Sequence, residues 1–255
     1  MPGLSDSERR VALWMLGNPE AATRQSMSAI AQANDVSDTT VLRMCRTAGF
    51  EGFTDLKLAL VREGATGAVV PEIPEPDDDL RAARMVFAAN LQAMSDTLAV
   101  LDTAAFGAAV DRIGAARHIL LGGVGGSALV AQVMYQRCAR LGIRCDAPVD
   151  SQLQMMHAAL LGPDDLAIGI SYSGITRDTV LMLEEARARG AATLCITGNP
   201  KSPLAARADI ALVSVSHELR SEPMAAQVAQ ISLVDALHAA LFARDPVRAQ
   251  SNEER

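Results

Sequence analysis

The stretch Leu166-Ala167-Ile168-Gly169-Ile170-Ser171-Tyr172-Ser173-Gly174-Ile175-Thr176 decides the fold. An apolar run without alternation enters a turn where Ser171, Ser173 and Thr176 surround Gly174, and a helical pattern follows. Strands of that kind are buried on both faces, as in a parallel sheet. The same order recurs on either side. Strands are expected over 118–122, 143–146, 166–171, 192–197 and 210–215. Helices are expected over 80–101, 104–113, 128–141, 151–161 and 176–189, near Pro203, and over 224–243. Strands alternating with helices through right-handed crossovers build an α/β doubly wound parallel sheet.

Open sheets of this type bind ligands beyond the carboxyl ends of their strands. The first such turn reads Leu121-Gly122-Gly123-Val124-Gly125-Gly126-Ser127 and leads into a helix. Its glycines let backbone approach an anion, and the helix N-terminus offers N–H groups and a favourable dipole. Gly123, Gly125 and Ala128 also satisfy the dinucleotide pattern GxGxxG/A, with Asp146 closing the next strand at the distance suited to a ribose hydroxyl. On this turn alone, a nicotinamide-dependent enzyme fits well. The second turn offers neutral hydroxyl donors that can ring a compact phosphate, for which a nicotinamide site has no need. A Ser/Thr-rich helix cap is the plainer reading of the same residues.

Upstream, the pattern is helical throughout, with helices expected over 5–17, 20–25, 28–34, 38–48 and 53–63. Gly64-Ala65-Thr66-Gly67, three prolines at 71, 74 and 76, and the triplet Asp77-Asp78-Asp79 read as an extended linker, with Asp79 a candidate cap for the next helix. The organisation inferred is a helical domain over 1–64, a linker over 65–79, the α/β domain over 80–245 and a polar tail over 246–255. A long surface loop would account for the same break.

Within the first domain, residues 28–49 have helix-turn-helix spacing: a small residue at Ala31, the turn at Asp35, and an apolar anchor at Val41. Asp35 stands where glycine is usual, so the turn is mildly strained. Ser37 caps the second helix, while Val41, Cys45 and Ala48 are expected to face inward. Docked in a major groove, that helix offers Thr39, Thr40 and Arg43 to base edges, and Ser37 and Arg46 to phosphates. Lys57 would add a backbone contact. An ordinary helical bundle with a solvated polar face has the same pattern.

Bulk properties limit the alternatives. Five Phe, two Tyr and one Trp in 255 residues leave the cores to Ala, Val, Leu, Ile and Met. A net charge of −7 argues against a general nucleic-acid coat or a polybasic membrane binder, yet not against a specific DNA reader. Cys45, Cys138, Cys145 and Cys195 lack CxxC spacing and read as free thiols, so no metal or other cofactor is expected. The first residues show no secretory pattern and no uninterrupted apolar run reaches the ~18 residues of a membrane span. A soluble cytoplasmic protein is expected.

Two groups of motifs resemble known families. Leu4-Ser5…Glu8-Arg9-Arg10-Val11-Ala12, Asn18-Pro19-Glu20, Val36-Ser37-Asp38-Thr39-Thr40-Val41-Leu42-Arg43 and Gly49-Phe50-Glu51-Gly52-Phe53…Leu56-Lys57 resemble the N-terminal domain of RpiR-type regulators. The two turns, followed by Ile196-Thr197…Ser202-Pro203-Leu204-Ala205…Ala208-Asp209, resemble the SIS (sugar isomerase) domain. This resemblance implies a sugar-phosphate site at Gly123, Gly125, Ser127, Ser171, Ser173, Gly174 and Thr176, with Glu222 a further carboxylate toward the sugar. Relatives often carry Ser-Arg where this chain has Ala226-Gln227. The expectation is a regulator controlled by a phosphorylated sugar, bound to operator DNA as a homodimer or homotetramer. The oligomer would form through the helix over 80–101 and the last helix. No catalytic residue is expected, because an isomerase has no use for a helix-turn-helix. An aldose–ketose isomerase, with His217 and Glu218 as its least implausible pair, is the alternative.

Overall fold

The structure is a computed structural model describing residues 3–67, 79–216 and 224–246. The chain divides into two compact units: residues to Met85 together with Ser95–Leu101, and Val86–Met94 together with the chain from Asp102 onward.

The first unit opens with five helices, α1 (Asp6–Gly17), α2 (Pro19–Arg24), α3 (Met27–Ala33), α4 (Asp38–Thr47) and α5 (Phe53–Gly67). Their starts are set by local chemistry. Ser5 and Glu8 form a reciprocal capping box at α1, Pro19 opens α2, and Ser26 and Ser37 accept from Ala29 and Thr40 N–H groups at α3 and α4. Each serine cap contributes roughly 1 kcal/mol. Val11, Met15, Ile30, Ala31, Val41, Met44, Cys45 and Leu56 form the core that gathers these short helices. The expected linker begins at 65, but α5 carries through 65–67, since nothing stronger than glycine interrupts the pattern there. The rest of the linker, residues 68–78, lies outside the described residues. Helix α6 (Asp79–Val100) contains Asp79 instead of following it.

In the second unit come α7 (Thr103–Ala115), β1 (Ile119–Gly122), α8 (Gly126–Arg140), β2 (Cys145–Asp146), α9 (Ser151–Ala158) and β3 (Leu166–Ile170). They are followed by α10 (Arg177–Ala188), β4 (Ala192–Thr197), a 3-10 turn (Ala205–Arg207), β5 (Ile210–Val213) and α11 (Met224–Arg244). The five strands are all parallel, in the order β2-β1-β3-β4-β5. All residues of β1 and β3 are buried, which explains their unbroken apolar sequence. β2 is shorter than the four residues read from sequence. Its first part is consumed by the end of α8, where Gly142 takes φ 68° and the Ile143 N–H donates to Cys138 O at 3.0 Å. At the other end of the sheet's central strands, the Asp165 carboxylate accepts two bonds from Arg117 and one from Gly162 N–H, which hold its pKa below the usual range.

Helix α11 is long and apolar enough to cross a membrane by composition, with mean hydropathy 1.3 over Ala225–Arg244. The sequence reading passes over it because Asp235 and His238 interrupt the run. It lies against α7 and α8, and Ala225, Ala229, Leu233, Val234 and Leu237 are buried.

Candidate functional site

In the helical unit, α3 and α4 meet at Ala31, and the Val36 N–H donates back to Ala31 O at 3.0 Å. Asp35 has φ 53°, the one positive φ outside glycine among the described residues. The cap at Ser37 is a small network: its Oγ lies 2.7 Å from Thr39 Oγ1 and 3.0 Å from Thr40 Oγ1. Ser28 Oγ donates to Asp38 at 2.6 Å, tying the first turn of α4 to α3.

This arrangement leaves Ser37, Thr39, Arg43 and Arg46 exposed on α4. Arg43 Nε stands 3.7 Å from the Glu8 carboxylate, which the Ser5 backbone N–H and hydroxyl hold below the usual carboxylate pKa. Three expectations are corrected here. Thr40 is buried and engaged with Ser37, so it does not face bases. Ala48 is exposed at the C-cap, and Met44 takes the inward position, because residues i, i+3 and i+4 share a helix face. Lys57 is buried over the Phe53 ring at 5.4 Å and donates to Gln25 O at 3.1 Å and to Ala99 O. Its ammonium satisfies two carbonyls in place of a phosphate, and burial pulls its pKa down.

In the α/β unit the chain leaves β1 toward β2 and returns on the opposite side as β3, so a crevice opens beyond Gly122 and Ile170. Both turns singled out from the sequence lie at these strand ends and enter α8 and α10. They pack closely. A Cβ on Gly123 would lie 2.9 Å from the Ser127 carbonyl and 3.1 Å from Ile170 O, so only glycine lets the first turn fold against the end of β3. Gly125 caps α8 with φ 59°.

The second turn is held from beneath. Ser171 is buried, and its Oγ accepts from Gly174 N–H at 3.1 Å while lying 3.0 Å from Thr176 Oγ1. Gly174, φ 68°, rests on Ser202 and Thr197 with no room for a Cβ, and its carbonyl accepts from Leu204 N–H at 3.0 Å. Ser173 is exposed, and Ser127 and Thr176 are half-buried. Among the four hydroxyls, Ser171 therefore shapes the turn, while Ser173 is the one most open to a ligand. Glu222, His217 and Glu218 lie outside the described residues.

Two glutamines were not singled out for this site from sequence. Gln154, buried on α9, donates to Gly123 O at 2.9 Å and Pro148 O at 2.8 Å, bracing the first turn. A polar residue on the inward face of α9 was the available signal. Gln227 of α11 lies directly against Gly126, at the N-terminus of α8. It was noted only as a departure from relatives, and contact across 101 residues of chain cannot be read from local pattern.

Beside the turns, a cleft of about 390 Å³ is lined by Gln132, Tyr135, Asp146, Ala147, Pro148 and His157. None of the turn residues lines it. Asp146 Oδ2 stands 3.1 Å from both His118 Nε2 and His157 Nδ1, so the carboxylate assigned to a ribose in the dinucleotide reading faces two imidazoles.

A helix-turn-helix and a doubly wound sheet with two apposed glycine–hydroxyl turns define a two-part transcriptional regulator. Residues 1–67 match the model of the helix-turn-helix domain of the rpiR family, and residues 113–240 match the SIS domain. A helix-turn-helix-type transcriptional regulator of Caldanaerobacter subterraneus subsp. tengcongensis is 35% identical over 91% of this chain and 83% of its own length. HexR, a regulator of the same type from Pseudomonas aeruginosa, is 34% identical over 92% of this chain and 83% of its own. Among solved structures, the Vibrio vulnificus NanR protein complexed with ManNAc-6P is similar at TM-score 0.64 and 25% identity, covering 100% of this chain and 92% of that one. The sugar isomerase domain of an RpiR transcription factor from Sphaerobacter thermophilus aligns at TM-score 0.65 and 32% identity, covering 68% and 96%. The chain belongs to the rpiR family of helix-turn-helix transcriptional regulators with an SIS domain. A helix-turn-helix regulator binds DNA.

Proposed function

We propose that operator binding by this regulator is set by a phosphorylated sugar held between the turns at 123–127 and 171–176. The observation that carries this reading is the apposition of Gly123 and Ile170 O, which brings two polar turns and two helix N-termini to one crevice. Ser127, Ser173 and Thr176 donate to the phosphate, with the glycine backbone of 123, 125 and 174 around it. Gln227, beside Gly126, sits where it can read the sugar. ManNAc-6P in a similar protein supports the ligand class.

The chain acts as a sensor and not as an isomerase, and it works in the cytoplasm, where operator DNA is found. Relatives named as regulators support the first part. A coupled assay that detected aldose–ketose conversion at this crevice would overturn it. The expected limits 1–64, 65–79 and 80–245 differ from the compact units, in which 80–85 and Ser95–Leu101 group with the helical reader, and α5 carries the first limit to Gly67.

DNA contact falls to Ser37, Thr39, Arg43 and Arg46. A homodimer or homotetramer presents two such helices, and Leu80, Phe87, Leu91 and Leu98 form an exposed apolar stripe along α6 that suits self-association. Helix α11 is less suited, its large apolar residues from Val228 to Phe242 being buried or half-buried.

The test is a thermal-shift panel of sugar phosphates, inorganic phosphate and NAD. A subset of sugar phosphates is expected to raise Tm by several degrees, and Ser173→Ala to weaken that ligand about tenfold, the worth of one hydrogen bond to a charged group. Stabilisation by NAD alone, with sugar phosphates inert, would refute the reading.

A further inference from the structure

The cleft at the edge of the sheet uses none of the residues assigned to the sugar phosphate, and its polar atoms are only partly satisfied within the protein. Asp146 closes the edge strand β2, opposite Leu120 of β1. His157 Nδ1, on α9, donates to Asp146 Oδ2 at 3.1 Å, and His118 Nε2 stands 3.1 Å from the same oxygen. A carboxylate oxygen only accepts, so the His157 proton sits on Nδ1 and Nε2 of the neutral ring is left as an acceptor. Gln132 of α8 turns its amide nitrogen to Ala147 O, which leaves its Oε1. Among the described residues nothing bonds to Asp146 Oδ1, Gln132 Oε1 or His157 Nε2. These three residues line the cleft together with Tyr135, Ala147 and Pro148, so the lining carries one carboxylate and neither lysine nor arginine. Its wall is fixed by buried Gln154, which donates to Pro148 O at 2.8 Å.

We propose that this cleft is a second ligand site, separate from the phosphate crevice, and that it takes a small organic cation through a primary ammonium group. The donor and acceptor balance selects that group. An ammonium brings three N–H donors and no acceptor, and the cleft offers acceptors on Asp146, Gln132 and His157. The Asp146 carboxylate supplies the counter-charge, and hydrogen bonds between ionised partners are the stronger kind. Tyr135, exposed on α8, adds an aromatic wall that attracts a cation. A neutral polyol would meet the same acceptors and leave the carboxylate uncompensated, while an anion would be repelled by it. Among the described residues no three His, Cys, Asp or Glu side chains are arranged to coordinate a metal ion, so hydrogen bonds in place of coordination would hold the charge. The volume of about 390 Å³ suits a small organic molecule. Gln154 also donates to Gly123 O at 2.9 Å, so the cleft wall and the first turn share one brace.

Isothermal titration calorimetry of the full-length protein with 1,4-diaminobutane tests the assignment, at about pH 8, where imidazole is neutral and the amine is charged. Saturable binding that weakens as salt is raised is expected. Butanediol, of the same length without charge, is expected not to bind. Tetramethylammonium has the charge without N–H donors and should bind at least about tenfold more weakly, the worth of one hydrogen bond to a charged group. Asp146→Asn should lower the affinity for diaminobutane by about tenfold or more. Tyr135→Leu, on the surface of α8, should lower it by about threefold. If Asp146→Asn fails to fold, the Tyr135 variant and the three probes decide the matter. No binding of diaminobutane at millimolar concentration overturns the proposal, as does equal binding of butanediol or tetramethylammonium. Affinity unchanged in Asp146→Asn, or in Tyr135→Leu where the first variant does not fold, also overturns it.

Discussion

Asp35 and Lys57 show how much a single side chain carries here. At φ 53° an L-residue crowds its own carbonyl, at a cost of roughly 1–2 kcal/mol that Asp bears better than most. Asp35→Gly relieves it while freeing the unfolded chain, so a net gain of about 0.5–1 kcal/mol is expected, read as a higher urea midpoint with unchanged operator affinity. This strain was legible in the sequence, because the turn demands glycine and the chain supplies aspartate. The role of Lys57 was not. A lysine four residues after a phenylalanine in a DNA-reading domain reads as a phosphate contact, and only the packing of α5 reveals carbonyls of Gln25 and Ala99 waiting for its ammonium. Lys57→Met should leave those carbonyls without a donor and cost about 1–3 kcal/mol in urea unfolding. Operator affinity of the folded fraction should not change; a selective loss of DNA binding at full stability would restore the phosphate role.

At the level of elements, α4 and the two turns behave differently. Helix α4 is defined by its own sequence, since Ser37 starts it and Val41, Met44 and Cys45 orient it. Its exposed face could thus be named in advance apart from Thr40, which the Ser37 network draws inward, and Ala48, which ends exposed at the C-cap. Arg43→Ala is expected to weaken operator binding on the order of tenfold or more, the worth of a lost base contact, measured by fluorescence anisotropy at fixed salt. Sugar-phosphate binding should be untouched. The turns at 123–127 and 171–176 are defined in sequence only as turns. Which hydroxyl shapes the turn depends on the floor beneath it, where Ser202, Thr197 and Leu204 support Gly174 and Ser171 bonds inward.

For the whole molecule, two chains per operator are expected, because one small, nearly neutral reading domain makes too few phosphate contacts for tight binding alone. Analytical ultracentrifugation of the complex checks this, and a single chain bound at full affinity would refute it. The sequence by itself determined the class of the protein: a helical reader joined to a parallel α/β domain with two anion-suited turns. That much is written in the chain because caps, strand burial and glycine turns act between residues close together. Tertiary structure alone decided that Ser171 is turned inward while Ser173 stays exposed, that Lys57 is internal, and that Gln227 and Gln154 find their neighbours. Those contacts depend on sheet order and helix packing between distant segments, and no local pattern encodes them.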